Sequence, residues 1–120
     1  MTDRQLSEIL TSKGLAQFGD ALLNFAYSIA LTETKGSPSG AKVQDKVLAD
    51  AAAKAGLRKH LPRRVDKGEV ANSLEALLGH VWLLKMITLE EIVGCLKTET
   101  LEPSKNFAEL AELALFKLRQ

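Results

Sequence analysis

Two long runs of this 120-residue chain read as helices that must be covered over most of their circumference. Between Leu15 and Leu31 the strongly polar side chains are Gln17, Asp20, Asn24 and Ser28, spaced three, four and four apart. At roughly 100° per residue they fall within an arc of about 80°. The rest of that helix is apolar and has to pack against other elements. A second run, over 66–85, carries a similar line of Glu69, Asn72 and Glu75 at spacings of three. Gly68, Ala76 and Gly79 lie on or beside this line, and Gly19 precedes Asp20. Small residues let helices approach closely. The pattern predicts two buried helices that cross with Asp20 facing Glu75.

The remaining periodicity is also helical. Strand signals are weak, since Ala, Leu, Glu and Lys dominate and aromatic residues are only 5% of the chain. We expect an all-α fold, a bundle of about six helices, in one domain spanning 1–120. A short amphipathic helix covers 3–12, with Gly14 as its stop. The first long helix covers 15–32 and ends before a turn-rich loop at 34–40. An Ala-rich helix follows over 41–55, stopped by Gly56. A basic connection then leads to the second long helix, capped by Asp66 with Glu69 three residues on. Thr88 caps a helix over about 89–98. Ser104 caps an additional C-terminal helix, about 104–119, whose Phe107, Leu110, Ala111, Ala114 and Leu118 share one face.

Net charge is only +1, so any nucleic-acid surface has to be a local patch. Residues 58–86 hold six Lys/Arg against three Asp/Glu, whereas 87–120 hold four against six. Arg58, Lys59, Arg63, Arg64 and Lys67 gather just before the Glu75 helix. Such a run is ordinarily a solvated face, and phosphate contact is the alternative. The single cysteine, Cys95, excludes an intramolecular disulfide. No signal peptide or membrane-spanning run is evident, so a cytoplasmic location is expected.

Two carboxylates facing each other in an apolar setting repel and resist desolvation. A cation between them would let both stay ionised. Oxygen ligands of this kind suit Mg²⁺, with Mn²⁺ as a substitute, and suit phosphodiester hydrolysis. The same spacing also fits helices that each show a solvent-facing seam, and spacing alone leaves both readings open.

The residues around these acids carry a family resemblance. "FGDALLN" resembles the "FLGDAVL" signature of the ribonuclease III catalytic domain, and "ANSLEALLGHVWL" resembles the second signature, "ADxFEALIGAxYL". The stretches "SPSGAKV", "LADAAAKAGL", "LP" and "KGE" fall between them in the family's order. The resemblance spans roughly Gly14 to Lys97 and implies a ribonuclease III-like endonuclease domain. Asp20 and Glu75 then match two metal ligands at the centre of double-stranded RNA cleavage. Asn72 stands where the second signature has an Asp, and is expected as a weaker third ligand. Lys13 and Ala16 occupy the positions of two upstream Glu residues. That pattern is similar to the mini ribonuclease III branch, whose members lack those acids and a double-stranded-RNA-binding domain, and act as homodimers on ribosomal RNA precursors.

What the resemblance implies is therefore a homodimeric, Mg²⁺-dependent endoribonuclease acting on double-stranded or structured RNA. The alternative is a weakly active or inactive dimer that binds RNA or protein. Asn24, one turn beyond Asp20, and Gln17, just before it, are expected to orient the ligands or their water. Lys35 and Lys42, flanking the 34–40 loop, extend the basic track of Arg58, Lys59, Arg63, Arg64 and Lys67 toward RNA phosphates.

Overall fold

The computed structural model describes residues 1–97 and 102–120. Among them the chain is all-helical: α1 (Asp3–Leu10), α2 (Lys13–Lys35), α3 (Asp45–Lys54), a 3₁₀ turn (Leu57–His60), α4 (Lys67–Leu83), α5 (Leu89–Leu96) and α6 (Pro103–Leu118). The expected last residues of α5, beyond Lys97, lie outside the described residues.

Local chemistry sets most of the boundaries. Thr2, Asp66 and Thr88 each accept the backbone N–H three residues on, while Gln5, Glu69 and Glu91 reach back, giving three complete capping boxes. α2 runs on until Gly36 adopts the left-handed conformation at φ 74°. α4 ends in a Schellman turn, in which Met86 N–H donates to the Val81 carbonyl and Lys85 N–H to that of Trp82. Lys85 accepts φ 60° to close that turn.

Three expected boundaries move. Gly14 does not stop α1. The Ser12 hydroxyl accepts from Leu15 N–H at 3.2 Å, so α2 already starts at Lys13 and Gly14 lies in its first turn. α3 starts at Asp45 rather than 41, because 41–44 are extended and bonded to α2. Ser104 does not cap α6. Pro103 takes the first helical position, where its missing N–H costs nothing, and the Ser104 hydroxyl instead meets Lys54 Nζ at 3.2 Å.

α4 is the axis of the fold. Val70, Ala71, Ser73–Gly79 and Val81 are all buried, and α2, α3, α1 and α6 pack around it. Leu23, Leu48, Leu74, Leu77, Phe107 and Leu110 are fully enclosed at the centre. Tyr27 packs its ring on Phe107 at 5.8 Å, and α6 closes the core on the α3 side.

Candidate active site

Asp20 and Glu75 are brought together by two glycines. A Cβ on Gly19 would lie 1.8 Å from the Glu75 carbonyl oxygen, and one on Gly79 would lie 2.9 Å from the Leu15 carbonyl oxygen. α2 and α4 therefore touch backbone to backbone, and the side chains on either side of the crossing are set face to face. Gly68, expected in the same contact, is not part of it; its Cβ would meet only the Asp66 carboxylate.

The lower part of the α2 polar line is occupied by a seam. The Thr32 hydroxyl accepts from Ser39 N–H at 2.9 Å, that of Ser28 from Ala41 N–H at 2.9 Å, and the Asn24 side-chain Oδ1 from Val43 N–H at 2.8 Å. Four residues of helix advance about 6 Å, as do two residues of extended chain, so the registers match as the loop runs back along α2. Asn24 then donates its amide nitrogen to Asp20 Oδ1 at 3.1 Å. The seam ends by delivering Lys42 and Asp45 beside the crossing.

The result is an open cleft of about 320 Å³ lined by Lys13, Gln17, Asp20, Lys42, Asn72 and Glu75, with Asp45 on the α3 wall and Ala16 at its edge. Glu75 is only 3% exposed. Burial, then the neighbouring Asp20 carboxylate within hydrogen-bonding reach, then Asp45, push its carboxyl up to about 8, against the opposing pull of Lys42. The Asn72 amide nitrogen, in the orientation its surroundings require, donates to Glu75 Oε1 and to the Gly68 carbonyl, both at 3.2 Å. Asn72 thus supports Glu75 as a hydrogen-bond donor. Among the described residues no group of three or more His, Cys, Asp or Glu is arranged to hold a metal ion. The acidic centre is a pair with a third carboxylate, Asp45, felt at longer range.

The expected basic track divides. Lys42 is in the cleft, where Lys13, not anticipated as a contact, joins it. Arg58 and Lys67 face a separate groove. Lys59, Arg63 and Arg64 are exposed along the connection between α3 and α4. Lys35 sits in the last turn of α2, some fifteen residues or about 22 Å along the helix from Asp20, and is not brought to the cleft. His60 and His80 are partly buried, which holds both imidazoles below their ordinary value, and neither lines the cleft. Asp45 escaped the sequence reading because helix α3 was started four residues too early. An acid in the first turn of a helix was its available signal.

The two long helices of an all-helical bundle thus cross to pair a buried and a half-buried carboxylate in an open cleft. The family model described as Ribonuclease III matches residues 13–116, which include both acids and the whole crossing. The chain belongs to this ribonuclease III family. It matches no curated protein. Among the described residues no helix is long and apolar enough to cross a membrane.

Proposed function

We propose that the protein is a Mg²⁺-dependent endoribonuclease that hydrolyses phosphodiester bonds in double-stranded or structured RNA, as a homodimer. The observation that carries this reading is the Asp20–Glu75 pair in an open cleft, with Glu75 buried and Lys42 the one cation that opposes the rise of its pKa. A divalent cation fits that donor set. The ligands are oxygens only, and the open side of the cleft leaves room for the several waters that Mg²⁺ retains. Asp20 and Glu75 would hold it, and a bound Mg²⁺ would supply Lewis-acid charge to the scissile phosphate and lower the pKa of a coordinated water.

The chain's own residues do the rest. Asn24 fixes the Asp20 carboxylate and Asn72 steadies Glu75. Gln17, exposed, lines the cleft with Asp20. Lys13 and Lys42 offer two cations for the phosphates flanking the cut. A cation held there would compete with the proton that Glu75 keeps up to about pH 8, so metal affinity would rise with pH. Hydrolysis by water leaves a 5′-phosphate and a 3′-hydroxyl.

Exposed apolar residues support the dimer. Phe18 stacks on Trp82 at 5.6 Å, Phe25 is 58% exposed two turns along the same helix, and Leu83, Leu84 and Met86 follow Trp82. A two-fold pair of such faces buries them and sets two clefts for cuts on opposite strands. By the likeness to the mini ribonuclease III branch, ribosomal RNA precursors are the substrate class to try first, and the cytoplasm is the place for it.

The second reading, a non-catalytic module that binds RNA or protein, is favoured by Lys13 standing in the cleft and by the acidic centre being a pair. One assay separates them. Incubation with double-stranded RNA and Mg²⁺ gives cleavage that falls at least about a hundredfold in Asp20→Asn and Glu75→Gln. Cleavage equal in both variants removes these residues from catalysis, and none by the unaltered protein favours the second reading.

A further inference from the structure

Beyond the cleft, the strongest unassigned feature is a groove of about 290 Å³ on the outer side of α3 and α4. Lys46 from α3, Arg58 from the 3₁₀ turn and Lys67 from the start of α4 line it, with the buried Ala49 and Val70 at its base. Arg4, Lys54, Lys97 and Lys117 are ion-paired, with Glu8, Asp50, Glu33 and Glu91, and Asp50 lies on the groove itself. Among the described residues Lys46, Arg58 and Lys67 have no such partner, as is true of most Lys and Arg of the chain, and what sets these three apart is that they line one groove. The one acid in the groove, Asp50, is engaged by Lys54 at 3.7 Å. Three uncompensated cations from three elements repel one another unless an anion lies between them.

The groove also has a place relative to the cleft. Asp45 lines the cleft and Lys46, the next residue, lines the groove, so the first turn of α3 is the wall between the two. We infer that the Lys46–Arg58–Lys67 groove binds backbone phosphate of the RNA, holding the strand after it leaves the acidic cleft and crosses the first turn of α3. This rests on the RNA reading above and adds to it a second contact region with no part in the chemistry. The contact is to phosphate, so it is indifferent to base sequence.

The test is the salt dependence of binding to a short fluorescent double-stranded RNA, measured by anisotropy on the full chain without divalent cation. Lys46→Ala, Arg58→Ala and Lys67→Ala are made singly and together, with Lys105→Ala on α6 as a control and thermal melting as a check of folding. Each single variant lowers the slope of log K against log salt by about 0.9, and the triple variant weakens binding at least about tenfold near 0.1 M salt. The control changes neither. Single variants with the unaltered slope, or a control that loses as much as they do, overturn the inference. So does an unaltered protein that binds no RNA. Cleavage followed in parallel separates the two readings. Cleavage with a groove-independent slope sinks the groove alone, whereas groove-dependent binding without cleavage sinks the nuclease alone.

Discussion

Glu75 is where the chain departs furthest from what folding alone would select. A carboxyl that is 3% exposed and faces Asp20 is costly to ionise, which is why it titrates near 8 rather than at its ordinary 4.5. Between those values the folded chain holds one proton that the unfolded chain has released. The Glu75 contribution to stability is therefore complete below about 4.5 and is lost as pH rises through about 8. His60 and His80, held below their ordinary value, act in the opposite direction as pH rises, so a single melting curve mixes the two. The difference between wild type and Glu75→Gln isolates the acid. Without divalent cation the variant melts higher at pH 8, with a gap that closes toward pH 5. A gap that is constant over that range contradicts the burial argument. Gly19 makes the complementary point, because no side chain fits 1.8 Å from a carbonyl oxygen. Gly19→Ala forces α2 and α4 apart, costs about 3 kcal/mol or more, and abolishes cleavage. A variant that melts with the wild type would mean the crossing is looser than described.

At the scale of elements, the seam between α2 and residues 39–43 determines what lines the cleft. Asn24→Ala leaves the Val43 N–H without its acceptor and Asp20 without its donor. A loss of about 1–3 kcal/mol in thermal or denaturant unfolding is expected, with a larger loss of cleavage than of RNA binding. Equal losses of the two would reduce Asn24 to a purely structural residue. The seam also explains which parts of the fold were legible in the sequence. Asp66–Glu69 and Thr88–Glu91 announced α4 and α5, because a capping box is local chemistry. The crossing was legible because Gly19, Asp20 and Glu75 carry it in their spacing. Residues 41–44 were not, since "AKVQ" is as good a helix start as any. Only its partners on α2, some nineteen residues earlier at Asn24, make it extended. Asp45 was hidden by the same error. The basic run before α4 looked like one track, yet Arg58 and Lys67 line a groove apart from the acidic cleft, and Lys59, Arg63 and Arg64 line neither.

At the scale of the molecule, the described residues fill an elongated shape of 43 × 28 × 23 Å, with the cleft open on its surface. The proposed two-fold pairing through Phe18, Phe25 and the end of α4 predicts a mass of twice 13.1 kDa in solution by sedimentation. Phe25→Glu should return it to a folded monomer. A monomeric wild type, or a dimer indifferent to Phe25→Glu, assigns the exposed aromatic face to something else. The central claim, that Asp20 and Glu75 hold a divalent cation, is tested most directly by anomalous scattering from crystals soaked in Mn²⁺. The account predicts one peak between the two carboxylates in the wild type and none in Glu75→Gln. Mn²⁺ bound only elsewhere, or absent from the cleft even with RNA present, would contradict it.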